Sequence, residues 1–331
     1  MALDFEKEKL ISELKKRKPK KVLVQLAEGI KQNAIDLAKT MREAIPDLEI
    51  VFSGESCWGA CSISVQEAEY LKVDLIVHFG HAQFIESDFP ILYMEVRDNL
   101  NLRPILERSL KEIEKYKTIG FSYSIQHRHD LEMIVKFFED AGKKVILSKK
   151  IGNVDYEGHI VGCQYEGLRK IQKEVECFVI MGNQFHSMGA AIAVEKPVVL
   201  IDVYNDDVRS MKGLRDKILK QRAISIGKLK DARKVGIIVE IKPGQQFGSA
   251  NYLVKQFKEK TDKEVIVITM NELTPDKLMN FYDIDAFIEL ACPRIAVDDF
   301  YKYEKPILTF KEALIALGIM TWEEGIETGL V

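Results

Sequence analysis

The sequence predicts an α/β protein made of three similar α/β domains, with mostly parallel sheets arranged around a central site. Three observations carry that expectation. Short β-branched runs alternate with amphipathic helical stretches, which is the pattern of parallel βα units. The pattern starts three times, at Lys21, Thr118 and Lys234. Each repeat also places a cysteine in a turn beyond a strand, within Trp58-Gly59-Ala60-Cys61, Val161-Gly162-Cys163 and Ala291-Cys292-Pro293.

The elements follow in order. In the first repeat, the expected strands are Lys21 to Leu26, Glu49 to Ser53, Leu75 to Phe79 and Ile91 to Val96, with a helix reaching about Ala44. In the second, Thr118 to Tyr123 is a strand and Asp130 to Ala141 a helix, for which Gly142 is the natural stop. Lys144 to Leu147, Cys177 to Met181 and Val198 to Ile201 complete its sheet. A long polar helix from Asp206 to Lys230 is expected to lead into the third repeat. There the strands are Lys234 to Ile241, Glu264 to Thr269, Ala286 to Leu290 and Pro306 to Thr309, with a helix from Gly248 to Lys260. The expected domains are 1–103 with Cys61, 104–205 with Cys163, and 206–331 with Cys292.

Composition excludes several function classes. The 331 residues are 47% hydrophobic, enough to fill real cores, which argues against disorder. Lys and Arg total 48 against 51 Asp and Glu, a net charge of −3 that lacks the basic excess of a nucleic-acid binder. The basic cluster from Lys15 to Lys21 reads as the solvated end of a first helix, where cations complement the dipole. No apolar run is long enough to span a membrane, and the charged N-terminal stretch has no apolar core of a leader, so a cytoplasmic protein is expected. No GxxxxGK[ST] loop occurs and no GxGxxG follows the first strand, which argues against a plain nucleotide-binding protein.

Five cysteines are too few and too dispersed for a disulfide scaffold. Cys177 lies inside a strand and reads as a small core residue. Cys61, Cys163 and Cys292 are too far apart in the chain for a local zinc knuckle and can meet only where the repeats converge. Three such thiols suit an iron–sulfur cluster with one iron left open, or a zinc ion with a water ligand, or are simply buried thiols. Open α/β sheets bind ligands beyond the carboxyl ends of their strands. Polar residues there, Gln25, Glu28, His81, Gln126, His127, His186, Lys242 and Gln245, are candidates to face a shared site. His78, on a strand, reads as a core histidine. Arg294 has two equal readings, a partner for a substrate carboxylate or for Asp298 or Asp299.

These turns, in this order, resemble the diphthamide-synthesis family, the archaeal-type 2-(3-amino-3-carboxypropyl)histidine synthases. The resemblance rests on Gln25-Leu26-Ala27-Glu28-Gly29, Trp58-Gly59-Ala60-Cys61, His78-Phe79-Gly80-His81, Gln126-His127, Val161-Gly162-Cys163-Gln164-Tyr165, Gly182 with Phe185-His186, Ile241-Lys242 with Gly244-Gln245, and Ala291-Cys292-Pro293-Arg294. It implies that Cys61, Cys163 and Cys292 are the ligands of a central 4Fe-4S cluster. Gln25, Glu28, His81, Gln126, His186 and Gln245 are then the candidates to bind S-adenosylmethionine. The implied reaction is a radical transfer of the 3-amino-3-carboxypropyl group to C2 of a histidine on translation elongation factor 2, by a homodimer. The family implies no catalytic side chain beyond the cluster. Cys57, four residues before Cys61, is a competitor for the metal, but the family turn is defined by the Cys after Gly-Ala, which favours Cys61. Cys57 and Cys61 have the first spacing of a local Cys-x₃-Cys-x₂-Cys radical loop, but position 64 is Ser. Two other readings share the plan: a quinolinate synthase-like cluster enzyme, and a metal-bearing partner subunit without turnover.

Overall fold

The computed structural model describes residues 3–330. The outermost residues of the first and third expected domains lie outside them. The described chain contains three main sheets of four, five and four strands, and a two-stranded pair in which Leu3–Asp4 runs antiparallel to Arg97–Asp98.

All three main sheets share one topology. In each, the second strand of the repeat lies at the edge, the first is next, and the third and fourth follow on the other side. The first sheet runs Glu49–Phe52, Lys21–Leu26, Leu75–Phe79, Ile91–Met94, all parallel. The second runs Lys144–Leu147, Thr118–Tyr123, Cys177–Met181, Val198–Asp202, also parallel. The third runs Glu264–Met270, Lys234–Glu240, Ala286–Glu289, Ile307–Leu308, parallel throughout. This is the doubly wound arrangement in which strand order reverses between the first and third strands, and that reversal opens a crevice at their carboxyl ends. The central strands read as nearly continuous apolar runs because both faces are covered, as in Leu75–Phe79 and Cys177–Met181, where every residue is buried.

The expected long helix begins later than Asp206. Asp207–Ser210 is instead a strand antiparallel to Val198–Asp202, so the second sheet continues past residue 205. The hairpin is formed at Asp206, whose φ of +52° reverses the chain. Its carboxylate pairs with Arg108, and Asp202 accepts the Tyr204 and Asn205 N–H groups. The helix then runs Lys212–Asp231. The helix expected from Asp130 is Leu131–Asp140, and Gly142 beyond it has a φ of +78°.

Each repeat has apolar packing of its own, and a further core is shared between two of them. The first sheet packs its own, with Leu10, Leu14, Val22, Val24, Leu37, Met41 and Phe79. The second and third share one: Phe178, Ile180 and Leu200 meet Val235, Ile237, Ala286 and Ile288 through Ile218, Ile226 and Leu229 of the long helix. The same helix carries Arg222, fully buried, whose Nε and Nη2 bind both carboxylate oxygens of Glu312 at 2.6 Å. Arg222 also donates to the carbonyls of Ala296 at 2.6 Å and Ile307 at 2.7 Å. Glu312 at the same time closes a capping box with Thr309 at the start of the helix Phe310–Ala316. One buried cation thus joins the connecting helix to the short helix Pro293–Asp298 that follows Cys292.

Candidate metal and substrate site

The carboxyl ends of the three sheets face one another. Cys61 lies in a one-turn helix, Ala60–Ser62, after the edge strand of the first sheet. Its loop is held from both sides. Glu28 Oε1 accepts the Cys57 N–H at 2.8 Å, and the Glu28 N–H donates to the Cys57 carbonyl at 3.1 Å. Gln25 donates Nε2 to the Ser62 carbonyl at 2.8 Å and to Ser64 Oγ at 2.9 Å. From the third repeat, the Gly244 N–H donates to the Cys61 carbonyl at 2.7 Å, and Gln245 Nε2 reaches the Cys61 sulfur at 3.4 Å. The contact needs glycine: a Cβ at Gly244 would fall 2.6 Å from Cys61 Cα.

Cys163 occupies the corresponding loop of the second repeat. Val161 and Gln164 form a small bridge around it, and Tyr165 Oη donates to the Gly162 carbonyl at 2.8 Å. Gly162 is required because the ring of Phe185 fills the space a Cβ would take, 1.6 Å away. Phe185 is in turn gripped by the third repeat, with the Arg294 guanidinium 4.4 Å over its ring and Nη2 donating to its carbonyl at 2.8 Å. Arg294 also pairs with Asp298 at 2.6 Å, while Asp299 pairs with Lys302 at 2.8 Å. The Asp298 pair is present, with the guanidinium buried rather than at the surface, and Arg294 Nη1 is left without a partner. Cys292 breaks the parallel among the repeats: it follows the third strand of its sheet, whereas Cys61 and Cys163 follow second strands. It sits at the start of Pro293–Asp298, where its carbonyl accepts the Ile295 N–H at 2.8 Å.

The three thiols lie within electrostatic range of one another. Burial pushes Cys163 up to about 12, and a charge on Cys61 adds to this while Arg294 opposes it. Burial raises Cys292 well above the ordinary thiol range, reinforced by Cys163 and Cys61. Cys61 is raised by burial and relieved by the Gln245 hydrogen bond and by Lys242. Neutral thiols packed this way are poised to become thiolates only when a cation arrives. Their spacing indicates what kind. A tetrahedral zinc with sulfurs at about 2.3 Å holds them about 3.8 Å apart. Among the described residues, these three are not a group with all donors within 4.8 Å of one another. The donor set therefore fits a larger, soft, thiolate-bound group better than a single ion.

Two buried carboxyl groups that the sequence reading did not single out close the third-repeat side. Burial holds Glu289 well above the usual carboxyl range; the Ala291 N–H opposes this and Glu240 adds to it. Glu240 is likewise raised, chiefly by burial. Each is the last residue of a strand with an apolar interior, a signal that was legible: an acid has no reason to be buried there unless its neighbourhood is specialised.

The polar candidates divide by how far their atoms are already engaged. Gln25 is spent within the protein, since its Oε1 also takes His78 Nδ1 at 3.1 Å. Glu28 binds Lys31 at 2.6 Å besides the Cys57 loop, and both contacts hold its carboxyl below the usual range. Both position the Cys61 loop; Gln25 has no atom left over, whereas Glu28 keeps its Oε2 free of these contacts. Gln126 Nε2 ties the second repeat to the first at the Gly80 carbonyl, 2.9 Å away. His81 Nδ1 meets His78 Nε2 at 3.0 Å. His78 is fully buried with both ring nitrogens engaged, as expected of a core histidine. His186 Nδ1 and Gln245 Oε1 are buried and unpartnered, so they are the candidates with atoms to spare. Asn183 caps the helix that carries His186, accepting its N–H at 3.3 Å. His127 is also buried with neither ring nitrogen partnered. A cavity of about 560 Å³ adjoins the Cys61 turn through Gly244. It is lined from all three repeats, including Gln83 and Phe84, Lys150 and Asn153, and Pro243 and Gln246.

Comparison with known proteins agrees with this architecture. The profile of the diphthamide synthesis protein family matches residues 26–327. The chain belongs to that family. A 2-(3-amino-3-carboxypropyl)histidine synthase of Pyrococcus horikoshii is 31% identical over 322 residues, 96% of this chain and 92% of that protein. Subunit 1 of the corresponding synthase of Kluyveromyces lactis is 29% identical, over 95% of this chain and 75% of the yeast protein. The crystal structure of Dph2 from Pyrococcus horikoshii with a 4Fe-4S cluster superimposes with a TM-score of 0.89 at 30% identity, covering 99% of this chain and 95% of that one. The expected fold is therefore the fold of this family. Among the described residues no helix is long and apolar enough to cross a membrane.

Proposed function

We propose that the protein is a 2-(3-amino-3-carboxypropyl)histidine synthase, which moves the 3-amino-3-carboxypropyl group of S-adenosylmethionine to C2 of a histidine on translation elongation factor 2. In this reading Cys61, Cys163 and Cys292 hold a 4Fe-4S cluster. The observation that carries it is one half-buried thiol from each of three repeats, close enough to feel one another, in a chain of the diphthamide synthesis family. When bound, the cluster supplies a single electron, which zinc does not.

The remaining work falls to the chain. Gln245 and Lys242 lower the basicity of the Cys61 sulfur, and Arg294 does the same for Cys163, which favours the thiolate forms a cluster needs. The cavity orients the substrate, and orientation selects which sulfonium bond lies in line. The methionine part of S-adenosylmethionine carries a carboxylate and an ammonium. Lys150 brings positive charge to the cavity lining, while His186 Nδ1 and Gln245 Oε1 offer unpartnered atoms and Lys242 a cation on the cysteine side. Burial drives His186 down to about 3, so at neutral pH it meets the substrate uncharged. In this reading the protein works as a homodimer in the cytoplasm, and the Pyrococcus relative, named as a synthase without a subunit number, favours a chain that acts without an unlike partner.

The test is anaerobic reconstitution with an iron count, followed by S-adenosylmethionine and dithionite. About four irons per chain and release of methylthioadenosine are expected. Single Cys61→Ala, Cys163→Ala and Cys292→Ala variants are each expected to lose brown colour and turnover. Full iron retention in any one of them removes that residue from the ligand set, and absence of methylthioadenosine from the loaded protein rejects the function.

A further inference from the structure

We propose that Cys57, His78 and His81 form a second metal site, distinct from the three-thiol site, which takes one zinc-type divalent ion. The proposal goes beyond the function above and does not rest on it. Among the described residues these three are the one group of histidine, cysteine or carboxylate side chains whose donor atoms all lie within 4.8 Å of one another. The donors are of the kinds that suit a borderline-soft ion, two imidazoles and a thiol, with a fourth position open to water.

The hydrogen bonds assign the tautomers. Gln25 Nε2 donates to the Ser62 carbonyl, so Gln25 Oε1 faces His78 and must accept from His78 Nδ1–H. His78 Nε2 then carries a lone pair and accepts from His81 Nδ1–H, 3.0 Å away, and an ion bound between them takes the place of that proton, which moves to His81 Nε2. Two nitrogens on a tetrahedral zinc at about 2.05 Å are about 3.3 Å apart, so the pair already stands near a chelating separation. An amide oxygen behind the imidazole is also the usual outer support of a histidine ligand, fixing its tautomer and its ring. The two rings are stacked, 5.2 Å between centroids, and His78 is braced edge-on by Tyr93. Cys57 is fully buried on the third side, with its backbone held by Glu28. Its thiol makes a long 3.9 Å contact to the Gly59 carbonyl and has Ser62 beside it. Binding converts that thiol to thiolate and releases its proton to solvent, and no electron changes hands.

The same reasoning explains why Cys57 stands four residues before Cys61 without joining it. The Cys57 donor lies within 4.8 Å of the histidine donors, whereas the Cys61 sulfur is met by Gln245 and feels Cys163 and Cys292, although the two cysteines are still within electrostatic range of one another. A filled second site cross-links the strand end at His78–His81 to the Cys61 turn.

The full-length, cluster-loaded protein is dialysed against equimolar zinc, desalted, and measured for zinc and iron together. About one zinc per chain is expected, with iron unchanged. X-ray absorption at the zinc edge is expected to show one sulfur at about 2.3 Å and two nitrogens at about 2.0–2.1 Å. Cys57→Ala and His81→Gln are each expected to lower retained zinc at least tenfold while iron is kept. His81→Gln keeps the proposal testable if removing the buried thiol disturbs folding. Retention of no zinc overturns the proposal. So do a zinc environment with two or more sulfurs and undiminished zinc in His81→Gln. Activity enters none of these readouts, so failure here and failure of the synthase reading are separable.

Discussion

Arg222→Met leaves Glu312 as a buried carboxylate without its cation, at a site where both side chains are fully inaccessible. It also strips two carbonyls, of Ala296 and Ile307, of donors at 2.6 and 2.7 Å. Breaking a buried pair from one side costs about 3–5 kcal/mol, and two orphaned carbonyls push the value to the upper end of that range. Arg222→Met is therefore expected to destabilise by about 5 kcal/mol. Glu312→Leu removes the other partner and the capping box, and a similar loss is expected. The double variant has no buried charge left, so it should be destabilised by several kcal/mol less than the sum of the singles. Urea unfolding of the four cluster-free proteins, read as midpoint times slope, measures this coupling. Additive single effects, or an Arg222→Met cost below about 1 kcal/mol, refute the assignment of the pair as the lock between the connecting helix and the Cys292 helix. A second readout is iron content after reconstitution. Arg222 grips the helix directly after Cys292 through the Ala296 carbonyl, so retained iron should fall in Arg222→Met even under conditions where the protein is folded.

Three further outcomes are expected. Gly244→Ala puts a methyl group 2.6 Å from Cys61 Cα, so it should cost about 1–3 kcal/mol and reduce retained iron, while Gly213→Ala, where nothing lies within 4 Å, should do neither; equal behaviour of the two in thermal melts and iron counts contradicts the clamp. Gln25→Leu removes the donor to the Ser62 carbonyl and the acceptor for His78, and about 1–3 kcal/mol of stability should be lost with lower iron retention, read by urea midpoint and absorbance. Burial holds His127 and His159 down to about 4, whereas the unfolded chain titrates near 6.5, so between those values the unfolded state binds more protons and stability falls as the pH falls through that window. Urea midpoints at pH 7, 5.5 and 4.5 should decrease in that order, and His127→Gln should flatten the decrease; a midpoint independent of pH in wild type contradicts it.

Much of the fold could be read along the chain because a parallel sheet covered on both faces needs apolar strands, and helices between them need amphipathic ones. Strands such as Lys21–Leu26, Thr118–Tyr123 and Cys177–Met181 announce themselves for that reason. Asp207–Ser210 did not: an edge strand of charged and polar residues has no such pattern, and it is a strand only because Val198–Asp202 offers it a free edge. The cysteine turns were legible from their glycines and prolines, which mark where a backbone must pass close to a neighbour. What the glycines approach was not. That a Gly244 N–H meets Cys61, and that Arg294 holds Phe185, are contacts between repeats with no periodicity of their own.

By itself, the sequence determined the α/β class, the threefold recurrence, the one-cysteine-per-repeat pattern and the family motifs, because each is carried by local residue pattern. The tertiary structure alone decided that the second and third repeats share a core, that Arg222 and Glu312 lock it, and that Gln25 and Glu28 hold the Cys61 loop. It also decided that Cys57 faces two histidines. The reason is common to all of these. Whether a buried polar atom is spent on the protein or left over for a ligand depends on partners distant in sequence, and burial makes those partnerships obligatory without recording them in the local pattern.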